Sequence, residues 1–365
     1  MSPSPFHHAQ PYSLADYGWD EACEHAFAPH RDAGLVPARI VRAERGSCEA
    51  VTDAGILRAE IPGAADRRNP LSPPCTGDWA ALRPAATGHG PVLHAVLERR
   101  TALVRSTASR TSRGQVLAAN IDTVVVTVSL GTPLKHGRTE RMLALAWESG
   151  AQPVVVLTKA DQCADAQLAA AEVSELAPGT DVLVTSAVTG LGLDTLTAVL
   201  NGTVVLLGPS GAGKSTLGNR LLGEGRLATS AVRDVDGKGR HTTAWRELIP
   251  LPGGGVLLDT PGLRAIGLHD VQDGLEQTFA EVEHLAQDCR FTDCAHGSEP
   301  GCAVLAAVEA GEIPQRRLES YRRLLRENAY AASRTDARLR TDREAAKKDI
   351  TRHLRATYRF RERRL

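Results

Sequence analysis

Eight consecutive residues, Gly208, Pro209, Ser210, Gly211, Ala212, Gly213, Lys214 and Ser215, form the pattern G-x-x-x-x-G-K-S. Glycines at these places let backbone N–H groups turn inward around an anion, and a helix starting at the lysine adds its positive end to the same spot. The context fits: the apolar run 203–207 (TVVLL) precedes the loop, and a helical pattern opens with Thr216 behind it. Lys214 is placed to reach the β- and γ-phosphates of a nucleotide, and Ser215 to ligate Mg²⁺. The phosphate loop by itself does not choose between ATP and GTP.

A second metal residue is expected at Asp259, which ends the apolar run 255–258 and is followed by Thr-Pro-Gly262. A carboxylate at a strand end beside a phosphate loop can hold Mg²⁺ directly or through water, and the Gly262 N–H can reach a γ-phosphate. The base is read elsewhere. Thr158, Lys159, Ala160 and Asp161 follow the strand-like run 153–157 and have the form [N/T]-K-x-D. A carboxylate at Asp161 accepts from the guanine ring N–H and exocyclic amine, a donor pair that adenine lacks, while the Lys159 stem can cover the ring. Thr185, Ser186 and Ala187 supply a second short base-binding element. Both base elements precede the phosphate loop in the chain, whereas ordinary GTPases place them after it. The order is therefore permuted, which the chemistry tolerates because the site is assembled from strand ends in space.

A separate chemistry resides in Cys289, Cys294, His296 and Cys302. Three thiolates and one imidazole complete a tetrahedral shell for one structural Zn²⁺ and leave no position open for water. The other cysteines, Cys23, Cys48, Cys75 and Cys163, are scattered and receive no role.

These residues need elements to position them. Short apolar runs broken by Gly and Pro between residues 35 and 110 predict about five strands, enough for a small closed barrel such as the OB-fold. Residues 111–270 alternate β-rich and helical runs, which predicts an α/β domain with a mostly parallel sheet. Residues 271–326 read as helices interrupted by the Cys/His segment, and 327–365 as a basic helical tail. Residues 1–34 read as an extension with one short helix around Trp19–Phe27. With 365 residues, 42% hydrophobic and 24% charged, the chain suits several soluble domains. No apolar run approaches the roughly 18 residues of a membrane span. Residues 1–10 lack a basic region followed by an apolar one, so the expected location is cytoplasmic. Net charge is +0, yet from Arg316 onward 17 Lys and Arg face 7 Asp and Glu. That one-signed excess suits phosphate contacts on RNA.

With the permuted order and its flanking modules in view, the chain resembles the circularly permuted RsgA/YjeQ GTPases, which assist maturation of the small ribosomal subunit. The resemblance runs from about residue 36 to 326. Its matching segments are Gly77-Asp-Trp79, 116–122, Gly239-Arg-His-Thr-Thr243, 259–264, 275–279 and Cys289-Arg-Phe-x-Asp-Cys294. It implies a multidomain chain: an N-terminal OB-fold β-barrel, a central circularly permuted P-loop α/β GTPase domain and a C-terminal, mostly helical zinc-binding domain. It also implies GTP and GDP with Mg²⁺, the 30S subunit and its 16S rRNA as partners, and slow intrinsic hydrolysis that the subunit stimulates; nothing in the sequence demands more than a monomer. Residues 239–243 become the loop over the γ-phosphate, with Thr242 or Thr243 approaching Mg²⁺. Leu263 stands where many GTPases place a water-orienting glutamine, so His241 joins Lys214 and Asp259 as the catalytic candidates. Two alternatives remain open from sequence: a large-subunit assembly GTPase, and an rRNA-binding adaptor whose nucleotide is a structural ligand.

Overall fold

The computed structural model describes residues 13–62, 73–85, 90–106, 114–223, 225, 227, 246–259 and 271–335. The chain divides into one unit made of residues 1–104, 116–266 and 273–280, and another made of 105–115, 267–272 and 281–365.

The first unit starts with a 3-10 turn, Ala15–Tyr17, and helix α1 (Glu21–Arg31). Asp20 caps α1, its carboxylate accepting from the Cys23 N–H at 2.8 Å, which satisfies one of the orphan donors of the first turn. Five strands follow: β1 (Val36–Ala43), β2 (Ser47–Thr52), β3 (Gly55–Glu60), β4 (Trp79–Arg83) and β5 (Val92–Val96). They close into a barrel in the order β1-β2-β3-β5-β4. Only the β3–β5 pair is parallel, the arrangement of the expected OB-fold barrel. Alternation along the strands turns Ala38, Ile40, Cys48, Ala50, Ala80 and Leu82 into the barrel core.

Strands β6 (Ala102–Ser106) and β7 (Gly114–Ala119) form a two-stranded sheet. The α/β domain then runs β8 (Thr123–Ser129), α2 (His136–Glu148), β9 (Gln152–Thr158), α3 (Ala166–Ser174), β10 (Asp181–Val184), α4 (Leu193–Val199), β11 (Thr203–Leu207), α5 (Lys214–Leu222), β12 (Glu247–Pro250), β13 (Val256–Asp259) and α6 (Gln272–Thr278). Its sheet has the order β10-β9-β8-β11-β13-β12. All neighbours are parallel except β12, which pairs antiparallel with β13. β8, β9 and β11 are near-continuous Val, Leu and Thr runs, as expected for strands covered on both faces. In such a sheet, ligands bind at the carboxyl ends of the strands, and there the phosphate loop follows β11 and the base-reading loop follows β9.

Barrel and sheet meet in a buried polar joint. Arg39 lies on β1 between Ala38 and Ile40, so it points out of the barrel, yet it is 1% exposed. Its guanidinium donates to the Tyr17 carbonyl, to the Asn120 carbonyl at 3.0 Å and to Thr203 Oγ1 at 2.7 Å, and it lies 4.5 Å from the centroid of the Trp79 ring. Burial brings its pKa down to about 10. Beside it, Gly77 (φ +98°) passes so close to β7 that a Cβ would lie 2.1 Å from the Ala119 carbonyl oxygen. Asn120 Nδ2 donates to the Gly77 carbonyl at 3.0 Å. The N-terminal segment belongs to the same joint, because Trp19 stacks edge-on against Trp79 at 5.1 Å.

The second unit holds helices α7 (Ala280–Ala286), α8 (Ala303–Glu309) and α9 (Gln315–Thr335). Arg317 Nε pairs with Glu281 and the Tyr321 hydroxyl donates to Glu283, each at 2.6 Å, tying α9 to α7. Val304, Ile313, Leu318 and Leu324 are buried among these helices. Among the described residues, no helix is long and apolar enough to cross a membrane.

Candidate nucleotide site and metal centre

Two glycines give the phosphate loop its shape. Gly211 and Gly213 adopt φ of +79° and +87°, a left-handed region that side chains disfavour, and the second turns the chain into α5 with Lys214 as its first residue. Gly208 serves differently. A Cβ there would meet Thr127 Oγ1 at 2.0 Å, so that position is glycine because a neighbouring strand fills the space. Lys214 Nζ arches back over the loop, donating to the carbonyls of Gly208 at 2.7 Å and Pro209 at 2.8 Å. Ala212 is buried, Ser215 is half-buried, and Ser210 and Thr216 are exposed.

The base-reading loop lies against this one. Thr158, at the end of β9, donates its hydroxyl to the Ala212 carbonyl at 2.6 Å. Residues more than fifty positions apart in the chain thus share a buried hydrogen bond, worth on the order of 1 kcal/mol net. Lys159 takes a left-handed turn (φ +61°). Its stem runs beside Gly131 and Gly213: a Cβ on the first would lie 3.3 Å from Lys159 Cδ, and on the second 3.9 Å from Cε. Ala160 N–H is held by the Thr185 carbonyl at 3.1 Å. Asp161 is exposed, and Ser186, fully buried, donates its hydroxyl to Asp161 Oδ1 at 2.5 Å. That bond fixes a carboxylate while keeping it an acceptor, as guanine recognition requires. Ala187 is held through its carbonyl by Arg220 Nε of α5 at 2.6 Å.

Asp259 is the last residue of β13, paired through its backbone with Glu247. β13 neighbours β11, the strand that leads into the phosphate loop. The Asp259 side chain and Gly262, together with His241, Thr242 and Thr243, lie outside the described residues. Sequence reasoning passed over Thr127, Gly131 and Arg220. Thr127 is an ordinary β-branched residue in a strand, and nothing in its neighbours marks it. Gly131, just beyond β8, carried a faint turn signal that could have been used.

In the second unit, Cys289, Cys294, His296 and Cys302 bring their ligand atoms within 4.8 Å of one another. A tetrahedral Zn²⁺ with Zn–S of about 2.3 Å and Zn–N of about 2.0 Å implies edges of about 3.8 Å between sulfurs and about 3.5 Å between sulfur and nitrogen. The corresponding separations are 3.8 Å for Cys289 Sγ to Cys302 Sγ, 3.6 Å for Cys289 Sγ to His296 Nδ1, and 3.4 Å for His296 Nδ1 to Cys302 Sγ. The donor set therefore fits zinc in both chemistry and spacing. Burial would raise the Cys289 thiol, but the backbone N–H groups of Val304 and Ala303 outweigh it and hold the pKa below the usual thiol value. The Leu305 N–H similarly points at Cys302 Sγ, at 3.4 Å. His296 needs a left-handed backbone (φ +53°) to turn inward.

Comparison with known proteins yields the same architecture. A family model described as RsgA GTPase matches residues 96–269. The chain is 56% identical over 339 residues, 92% of each protein, to the small ribosomal subunit biogenesis GTPase RsgA of Streptomyces coelicolor. It is 43% identical over 350 residues to the protein of that name from Opitutus terrae, covering 92% of this chain and 95% of the relative. Among solved structures, YjeQ from Thermotoga maritima superposes with a TM-score of 0.60 at 27% identity, covering 80% of this chain and 98% of that one. YloQ, a circularly permuted GTPase, shares the fold with a TM-score of 0.58 at 24% identity, covering 80% and 94%.

Proposed function

The chain belongs to the RsgA family of small ribosomal subunit biogenesis GTPases, and on that premise we propose that it binds the 30S subunit during late maturation and hydrolyses GTP there with stimulation by the subunit. The observation that carries this reading is the hydrogen bond from Thr158 to Ala212. A loop with the chemistry to read guanine is fastened directly to a loop with the chemistry to hold phosphates, in the permuted chain order.

In this reading Asp161 and Ser186 select the base, and Lys159 covers its face. The backbone N–H groups of 210–216 wrap the phosphates, with Lys214 withdrawing charge from the β- and γ-oxygens as the terminal bond breaks. Ser215 and Asp259 would hold Mg²⁺, whose charge supports the same phosphate oxygens. Thr242 or Thr243 would approach Mg²⁺, and Gly262 would donate its N–H to the γ-phosphate. With Leu263 in place of a glutamine, His241 positions the attacking water when the subunit is bound. The barrel (35–110) and the basic residues of 327–365 contact the backbone of 16S rRNA. The protein works as a cytoplasmic monomer.

The test is turnover of GTP and ATP by the purified protein, alone and with purified 30S or 50S subunits. Stimulation of GTP hydrolysis by 30S alone is expected; equal rates with and without 30S would overturn the proposal. His241→Ala should abolish the stimulated increment and leave GDP affinity intact, and an unchanged stimulated rate removes His241 from the mechanism.

A further inference from the structure

Thr127 lies on an inner strand of the six-stranded sheet, outside every motif that the sequence presents. It belongs to β8, the strand between β9 and β11, and is completely buried. The β8–β11 ladder pairs Val204–Leu207 with Thr123–Val126 and ends there, as the chain leaves β11 for the phosphate loop. One residue past that last rung, Thr127 Oγ1 donates to the Leu207 carbonyl at 3.0 Å. Its bulk fills the space beside Gly208, where a Cβ would meet Thr127 Oγ1 at 2.0 Å and the Thr127 carbonyl oxygen at 2.8 Å. The hydroxyl thus holds the residue before the loop, and the side chain leaves the first glycine only one place to go.

Thr158 plays the matching part at the crown of the loop, through Ala212. Two threonines on adjacent strands therefore grip the phosphate loop at its entry and at its top, both from the side of the sheet.

We propose that Thr127 is a positioning residue for diphosphate binding, setting the exit angle of β11 so that the loop amides already point at the β-phosphate before nucleotide arrives. A preorganised loop avoids ordering cost on binding, so the effect should scale with the phosphates that the loop holds. Thr127 touches neither base nor phosphate and acts only through Leu207 and Gly208. This inference rests on the nucleotide-binding reading above. If the wild-type protein failed to bind GDP, that reading would fail; if it bound GDP and the variants below did not behave as stated, only the role of Thr127 would fail.

Affinities for GDP, GTP and GMP are measured by competition against a fluorescent GDP for the wild-type full-length chain, Thr127→Val and Thr127→Ser, together with the melting temperature of each. Val keeps the shape and loses the hydroxyl, so its GDP and GTP affinities should fall about tenfold, the loss of roughly one buried hydrogen bond. Its GMP affinity should change less than twofold, because GMP lacks the β-phosphate. Ser keeps the hydroxyl and should bind GDP within about threefold of wild type. Unchanged GDP affinity in Thr127→Val overturns the proposal, and so does an equal loss for GMP and GDP, which would mark a general loosening of the sheet. Should the Val variant fail to fold, Thr127→Ala, which adds no bulk toward Gly208, provides the same comparison.

Discussion

Strand β11 has two ends, and they are built on opposite plans. At its carboxyl end, Leu207 leads into a loop of glycines and backbone amides, with Ser210 and Thr216 exposed. At its amino end, Thr203 accepts from Arg39, a charge sealed from water among the Tyr17 and Asn120 carbonyls and the Trp79 ring. Asp122 completes that end, accepting the Thr203 N–H at 2.6 Å. One end exposes loop backbone and small polar side chains; the other buries a charge that reaches three oxygen acceptors, although Arg39 Nε and Trp79 Nε1 have no hydrogen-bond partner among the described residues. A site must hold groups ready for something absent, whereas a buried joint gains stability from each polar group that it pairs.

The comparison can be broken by experiment. The zinc module serves as a reference outside both ends of the strand. Cys294→Ser should abolish stoichiometric zinc and remove folding free energy on the order of 10 kcal/mol from the module. Retained zinc at one per chain, measured by metal analysis, would contradict the ligand set. Next, Lys214→Ala should lower GTP turnover at least about a hundredfold, through lost phosphate stabilisation, while the melting temperature moves by no more than a degree or two. A large fall in melting temperature would mean that the carboxyl end is also structural. Arg39→Met should do the reverse. It leaves two carbonyls without their donor in a buried place and should destabilise the first unit by about 3 kcal/mol. Calorimetry on the full chain reads this, and a stable Arg39→Met protein would show that the joint is held by its apolar contacts alone.

Asp161→Asn sharpens the description of the ligand-facing end. It replaces an acceptor by a group that presents a donor to the guanine N–H, so GTP affinity should fall about tenfold to a hundredfold, and xanthine nucleotides should gain relative to guanine. Equal losses for both bases would assign Asp161 to structure. The smallest effect concerns Asp20, at the edge of the joint. Although burial opposes it, the Arg100 guanidinium and the Cys23 N–H lower its pKa from 3.8 to about 2. A lowered carboxylate adds stability above its unfolded pKa, and that contribution is lost as pH falls from about 4 through about 2. Because both partners are nearly half exposed, the contribution should not exceed about 1 kcal/mol. Asp20→Asn should flatten the acid limb of the stability curve by that amount, and an unaltered limb would remove Asp20 from it.

The phosphate loop, the base-reading loop and the cysteine cluster were legible because each writes its chemistry within a few consecutive residues. The barrel was legible through short apolar runs broken by Gly and Pro, and in the fold alternation along β1 puts Ala38 and Ile40 inside. Arg39 between them illustrates the limit: the same alternation sends it outward, where a charged residue is ordinarily solvated. Only the arrival of the N-terminal segment and the α/β sheet on that face buries it. Thr127 was hidden for a similar reason, since a threonine in a β-strand is what strand propensity favours anyway. The segment before the barrel read as an extension with one short helix, and the helix is there as α1. Its attachment, through the Tyr17 carbonyl and Trp19, could not be anticipated because the partners, Arg39 and Trp79, are set by the closing of the barrel strands.

The sequence alone therefore determined which ligands this protein is equipped to hold, because nucleotide and metal chemistry depend on residue types at short, fixed spacings that survive any path of the intervening chain. The tertiary structure decided how those loops are held and what joins the barrel to the sheet. Those are contacts between residues distant in the chain, and burial, which sets the worth of each hydrogen bond and charge, exists only once the surfaces have met.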